Sequence, residues 1–276
     1  MPKMNEFDSK VVLITGASSG IGAQVAKRFA KEGARLSICG RNEERLTKVA
    51  QECKNLGAKQ VLHVVADLQK KEDIEMIIEK TGTEYDAIDV LVNNAAIAKI
   101  GGVVDTTWET FNNTVEVDIR APVFVTQLAV PYLEKSKGNI INISSIASDM
   151  PWTVAVVYGM CKAGLDHFTK TAALELSKKA IRVNSVSPGH CDTMIARYVN
   201  LSEEVLTQFY ENIRLRNILE QKHLTTDHIA DSVLFLASDS ASMITGACLK
   251  VDGGSFLLGP TPPADLPMQV VSAPQT

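Results

Sequence analysis

Residues 10–33 read KVVLITGASSGIGAQVAKRFAKEG, and the fold turns on how this stretch divides. Val11 to Ile14 is a continuous apolar run without alternation, the pattern of a strand buried on both faces. From Ile21 onward apolar residues recur at helical spacing and stop at Gly33, a helix-ending residue. Between strand and helix lies TGASSGIG, Thr15 to Gly22, with glycines at Gly16, Gly20 and Gly22. Glycine there allows a tight turn and a close approach of main chain to a ligand, while the new helix aims its unpaired N–H groups at an anion such as phosphate. The spacing is GxxxGxG rather than GxGxxG. A strand, a glycine turn and a helix in this order predict the first half of a βαβ unit.

The same alternation continues outward. ARLSIC, KQVLHVVAD, IDVLVNNAA, GNIINISS, IRVNSVSPG and TGACLKVDGG each read as a strand, and RNEERLTKVAQECKNLG reads as a helix ending at Gly57. Repeated strand and helix predict right-handed crossovers and a doubly wound α/β sheet in a single domain over residues 8–258. The pattern lapses at about residues 190–224, where MIARYVNLSEEVLTQFYENIRLRN predicts one or two inserted amphipathic helices that cover a binding site or make an oligomer contact. Tyr198, Leu206, Phe209 and Tyr210 fall at roughly helical spacing there, which suits packing on the domain equally well, and Arg214 and Arg216 read first as a solvated face. Residues 259–276 are proline-rich and are expected to be extended or partly disordered.

Composition excludes several function classes. At 276 residues, 45% hydrophobic and 22% charged, the chain can bury a large core. A net charge of -4 supplies no basic field for a phosphate backbone, so nucleic acid is not an expected partner. Cys39, Cys53, Cys161, Cys191 and Cys248 are odd in number, scattered and free of CxxC pairs, which argues for reduced thiols over a disulfide framework or a zinc site. The amino end, MPKMNEFDSK, has no signal-like apolar stretch, and no later run approaches the roughly 20 apolar residues of a membrane helix. The expectation is a cytoplasmic protein with no membrane partner and no metal.

VYGMCKAGLDHF, Val157 to Phe168, sets Tyr158 and Lys162 one helical turn apart. By itself such a pair often means only a lysine stem packed on a ring. Its company changes the reading: TGASSGIG, NNAA at Asn93 to Ala96, NISS ending at Ser145, YGMCK at Tyr158 to Lys162 and PGHCDT at Pro188 to Thr193. In this order and spacing, with thirteen positions from Ser145 to Tyr158, the chain resembles the short-chain dehydrogenase/reductase family over roughly residues 10–254. The resemblance implies a Rossmann-type domain with a seven-stranded parallel sheet, a nicotinamide cofactor, a small-molecule carbonyl or alcohol substrate and commonly a homotetramer.

Hydride delivery to a carbonyl carbon requires that charge developing on the oxygen be neutralised, and Tyr158 suits a general acid, or a base in the reverse direction. The ammonium of Lys162 is expected to pull the phenol's pKa from about 10 toward the working range. By resemblance Lys162 also binds the nicotinamide ribose and Ser145 hydrogen-bonds the substrate oxygen; Ser144 is the alternative serine, disfavoured by spacing. Asp118, in VEVDIRAP, stands where the family usually has an asparagine that shapes a helix kink and acts through its main-chain carbonyl. It brings a carboxylate near Lys162 that either strengthens the lysine's charge or competes for it; the alternative is an ordinary helix residue. Ala96 stands where glycine is commoner.

For the cofactor, the resemblance assigns Gly16, Ser18, Ser19, Gly20, Ile21 and Gly22 to the phosphate turn, and Asp67 and Leu68 to the adenine, though Asp67 also reads as a helix N-cap. It assigns Asn94 and Ala95 to the adenosine ribose, and Pro188, Gly189, Cys191 and Thr193 to the nicotinamide. NAD enzymes of such folds carry an acid at the end of the second strand. Here SICGRN has Gly40 there, followed by Arg41, a cationic fork suited to a phosphate, which favours NADP(H). Glu43 and Glu44 partly offset Arg41, and Ser19 is not the second basic residue some NADP-dependent relatives carry. Ile97, Met150, Trp152, His190, Met194 and Tyr198 are expected to line a mostly apolar substrate pocket. The sequence therefore reads as an NADP(H)-dependent carbonyl reductase or alcohol dehydrogenase. Alternatives are a hydroxysteroid dehydrogenase, a 3-oxoacyl-thioester reductase, or a non-catalytic dinucleotide-binding sensor.

Overall fold

The structure is a computed structural model that describes residues 6–99, 101–191, 217–219 and 223–259. Strands and helices alternate from the start: β1 (Val11–Ile14), α1 (Gly20–Lys31), β2 (Arg35–Gly40), α2 (Glu43–Asn55), β3 (Gln60–Val65), α3 (Lys71–Tyr85) and β4 (Val90–Asn93). Next, α4 (Trp108–Val115) passes through a π-turn at Glu116–Arg120 into α5 (Ala121–Ser136). β5 (Asn139–Ile143), α6 (Val156–Leu176), β6 (Arg182–Pro188), α7 (Thr226–Ala237) and β7 (Cys248–Val251) complete the described strands and α-helices. All seven strands expected from the apolar runs are present, and all pair in parallel in the order β3-β2-β1-β4-β5-β6-β7.

Burial explains why the runs look as they do. β1, β4 and β5 are buried at every residue, so both faces demand side chains that are apolar or make hydrogen bonds inside the protein. β3, at the sheet edge, turns His63 and Val65 to solvent. One face of the sheet packs Phe29, Leu46 and Ile229 from α1, α2 and α7; the other packs Ile77, Leu133 and Leu176 from α3, α5 and α6. Phe29 is fully buried and meets Phe7 edge to face, ring centres 4.9 Å apart. The helix stops expected at Gly33 and Gly57 hold, since both glycines follow their helices with positive φ (78° and 112°).

Two buried amides fix α5 and α6 on the sheet. Asn93 Nδ2 donates to Thr126 Oγ1 (3.1 Å) and to Asn142 Oδ1 (2.9 Å), and Asn142 Nδ2 donates to Thr169 Oγ1 (2.8 Å). Thr126 lies on α5 and Thr169 on α6, so the helix that carries Tyr158 and Lys162 is tied to β5 by a polar bond as well as by packing. The expected inserted helices, with Met194, Tyr198, Leu206, Phe209, Tyr210, Arg214 and Arg216, lie outside the described residues, as do Thr193 and the tail from residue 260.

Phe29→Ala removes a whole buried ring from one core, and its expected cost is about 3–5 kcal/mol in urea unfolding. A loss below about 1 kcal/mol would mean that this core closes over the cavity.

Candidate active site

The strand order reverses between β1 and β4, and in parallel α/β sheets the crevice outside the carboxyl ends of the strands at that point receives ligands. The glycine turn leaves β1 there. Gly16 has φ +66°, and a Cβ on it would lie 2.7 Å from Ala95 Cα, too close for any side chain. A Cβ on Gly22 would meet the Asn94 amide and stand 2.7 Å from Gly16 O. Asn94 Nδ2 donates to Thr15 O (2.9 Å) and Gly16 O (3.2 Å), while Thr15 Oγ1 accepts from Asn94 N (3.0 Å) and Ala95 N (3.1 Å). The turn is thereby clamped to the end of β4.

Past the turn, α1 begins at Gly20 with Ser19 as N-cap, but the Ser19 side chain makes no capping hydrogen bond and the first turn holds no acidic residue. Its leading N–H groups and positive dipole end are therefore available to an anion. These features fit a dinucleotide: a cradle that a Cβ would fill, joined to an uncapped, acid-free helix start. Gly189, after β6, is similarly restricted, since a Cβ would lie 2.7 Å from Asp252 Cβ; its N–H donates to Val251 O.

At the end of β2, a Cβ on Gly40 would be 3.1 Å from Ser18 Cβ, so a longer side chain there crowds the glycine turn. Arg41 follows, exposed, just before α2, whose N-cap is Asn42. Asp67 is not a helix N-cap: α3 starts at Lys71, and Asp67 Oδ1 accepts from Gln69 N (3.1 Å) in a local turn. Leu68 beside it is buried.

The second cluster stands at the carboxyl end of β5. Ser144 is buried with its hydroxyl given to Lys162 O (3.3 Å), whereas Ser145 is partly exposed and accepts from Ala147 N (3.1 Å). That difference separates the two serines as their spacing from Tyr158 does. One turn along α6, Lys162 is only 2% exposed, so it is no surface lysine. Its Nζ donates to Ile143 O (3.1 Å), lies 5.4 Å from the centre of the Tyr158 ring, and sits 3.4 Å from Asp118 Oδ2. Asp118 is fully buried within the π-turn, and its Oδ1 accepts from Ile97 N (2.8 Å). At 3.4 Å the Asp118 and Lys162 charges attract, but the separation is long for a hydrogen bond.

Electrostatics here correct one expectation. The Tyr158 phenol is raised above the ordinary tyrosine value: although the residue as a whole is half-buried, withdrawal of its hydroxyl from water pushes it up, and the pull of Lys162 and the nearby Ser145 hydroxyl do not overcome this, partly because the Asp118 carboxylate works against them. Asp118 is itself pushed up to about 6 by burial, against the pull of Lys162 and the Ile97 amide. For Lys162, burial works against the ammonium, but the Asp118 carboxylate and then Tyr158 outweigh it and the net shift is upward. At neutral pH this is a buried ammonium–carboxylate pair beside a neutral phenol.

Of the expected pocket wall, Ile97 and Met150 are buried, Trp152 and His190 are partly exposed, and Met194 and Tyr198 lie outside the described residues. Pro188 ends β6 and Cys191 pairs across to Leu224. Thr15 had not been singled out, although a hydroxyl at a strand end just before a glycine turn is the signal for such a clamp. None of the five cysteines is joined in a disulfide, and among the described residues no His/Cys/Asp/Glu group is placed to hold a metal ion. No helix among them is long and apolar enough to cross a membrane.

A family profile described as Enoyl-(Acyl carrier protein) reductase matches residues 16–255. Dehydrogenase/reductase SDR family member 4 of Homo sapiens is 32% identical over 257 residues, covering 92% of this chain and 90% of its own. A short-chain dehydrogenase/reductase of unknown function from Caenorhabditis elegans, solved with cofactor, superposes with a TM-score of 0.85 at 35% identity, over 91% of this chain and 97% of that one. The 3-ketoacyl-(acyl-carrier-protein) reductase of Brucella melitensis, complexed with NADH, gives a TM-score of 0.81 at 31% identity, over 90% of this chain and 99% of that one.

Gly22→Ala places a methyl against Asn94 and Gly16 O without demanding a positive φ. The turn must shift, and affinity for NADPH in a fluorescence titration is expected to fall about tenfold or more, equivalent to about 1.4 kcal/mol. Unchanged affinity would detach this turn from dinucleotide binding.

Proposed function

Because the chain belongs to the short-chain dehydrogenase/reductase family, we propose that it is an NADP(H)-dependent carbonyl reductase, running also as an alcohol dehydrogenase, with Tyr158 as its acid and base. At the coarser level it is an oxidoreductase acting on CH–OH and C=O groups. The observation that carries the finer reading is the meeting of Tyr158, Lys162 and Ser145 at the end of β5, in the crevice edge shared with the glycine turn.

A reduced nicotinamide, when bound, supplies the hydride. The residues of this chain handle the charge and the proton. Negative charge developing on the substrate oxygen is met by the hydroxyls of Ser145 and Tyr158, which stand together at the end of β5. The Tyr158 O–H bond breaks as the substrate O–H bond forms, leaving a phenolate. Lys162, held by Ile143 O, keeps its ammonium against that ring, so the phenolate forms beside a fixed cation with no side chain to reorganise. In the oxidative direction the phenolate takes the proton from the alcohol and the same cation favours its formation. A non-catalytic sensor has no need of a buried lysine aimed at a tyrosine.

NADP(H) over NAD(H) is supported by the room at the end of β2, where Gly40 leaves Ser18 unhindered and Arg41 supplies a planar cation. With Ile97, Met150 and Trp152 as its proposed wall, the pocket has an apolar side, which suits a ketone of moderate size. Exposed Trp108, Phe124, Met160 and Leu174 on α4, α5 and α6 provide apolar surface for the homotetramer that belongs to this reading.

With a panel of ketones and diketones and NADPH absorbance as readout, Tyr158→Phe is expected to lose turnover by about a hundredfold or more while still binding NADPH. Full turnover in that variant would end the proposal. Arg41→Ala is expected to reduce the preference for NADPH over NADH by about tenfold. A preference that stays the same would show that Arg41 does not read the phosphate.

A further inference from the structure

We propose that Asp118 is a positioning residue whose carboxylate, seated against Lys162, holds the Tyr158 phenol in its protonated form and so extends the reductive direction to higher pH. The inference rests on the proposed role of Tyr158 and adds to it the pH window in which that role is performed.

Three features carry it. The π-turn at Glu116–Arg120 interrupts what is otherwise one long helix, and Asp118 sits within it, fully buried. Its Oδ1 is held by the Ile97 amide (2.8 Å), which fixes the carboxylate in place. Oδ2 is left with no hydrogen-bond donor of its own and stands 3.4 Å from Lys162 Nζ. The ammonium is thus shared between a full negative charge on one side and a phenol ring on the other, with the Ile143 carbonyl as its third neighbour.

In a site shielded from water a carboxylate at that distance cancels much of the field that the ammonium presents to the phenol. The titratable groups acting on this pair are Lys162, Tyr158 and Cys161 from α6; β4's following loop contributes the Ile97 amide and β5 the Ile143 carbonyl. On the π-turn itself Glu116 and Arg120 bond to each other. Burial keeps Cys161 a neutral thiol, pushed up to about 12, so the charges acting on Tyr158, beyond the effect of its own burial, are those of Lys162 and Asp118.

The sign follows directly. With Asp118 ionised, the phenolate is disfavoured, Tyr158 remains an acid to higher pH, and the base form needed for alcohol oxidation appears only at more alkaline pH. Burial pushes Asp118 up to about 6, so as pH falls through that region its charge is lost and the wild type comes to behave as if residue 118 were neutral.

Asp118→Asn tests this, since it keeps an oxygen for the Ile97 amide and removes the charge. Measured as kcat/KM against pH with NADPH and an accepted ketone, its alkaline limb is expected about one pH unit below that of the wild type. The limb for alcohol oxidation should move down with it, and the two proteins should converge below about pH 6. The second readout needs no cofactor: ultraviolet difference titration of tyrosinate, wild type minus Tyr158→Phe, repeated in the Asp118→Asn background, should show the same downward shift. Unmoved limbs and an unmoved titration, even with a lower kcat at every pH, overturn the proposal and leave Asp118 a packing residue. If Asp118→Asn does not fold, Asp118→Ser takes its place: a tyrosinate titration lying below that of the wild type supports the proposal and an unmoved one overturns it. Full turnover in Tyr158→Phe would remove the functional reading instead, while the cofactor-free titration continues to report on Asp118.

Discussion

A buried ammonium has to be satisfied, and the arrangement around Lys162 follows from that requirement. A lysine charge withdrawn from water costs several kcal/mol unless partners replace the solvent. Here the partners come from different parts of the chain: a carbonyl from the end of β5, a carboxylate from the π-turn between α4 and α5, and a ring from the same helix one turn earlier. Each can be in place only if the sheet, the helix interruption and α6 are all correctly assembled. The charge that serves the site therefore also reports on the fold around it.

Much of the fold was legible in the sequence because a parallel sheet imposes a strong signal. Strands buried on both faces must be apolar along their whole length, so β1, β4 and β5 stand out as unbroken runs, while Gly33 and Gly57 mark where helices stop. The strand order and the two polar ties from Asn93 and Asn142 to the helices were not legible, since they depend on which side chains face each other across elements far apart in sequence. The π-turn was anticipated only as the helix kink that the family resemblance implies at Asp118, because no residue type enforces one.

Within the site, residue types and spacing identified which side chains gather, but not their energies. Ser145 and Tyr158 stand at the same strand end, and Asp118 Oδ2 comes within 3.4 Å of Lys162 Nζ. The sign of the Tyr158 shift was misjudged because a helical pair gives proximity and says nothing of burial, and burial is the larger influence on that phenol. Thr15 was passed over for a related reason: its work is done through two backbone amides of the neighbouring strand, and sequence patterns do not display backbone partners.

Asn93 and Asn142 lie directly opposite one another in the β4–β5 pairing, each reaching a threonine on a covering helix. Were the two strands to slip by one residue, alternate side chains would change faces, and both amides would be stranded among aliphatic neighbours. Each buried group left without a partner costs about 1–3 kcal/mol. The pair therefore favours this register of β4 against β5 over a shifted one, a preference that aliphatic packing alone supplies less sharply.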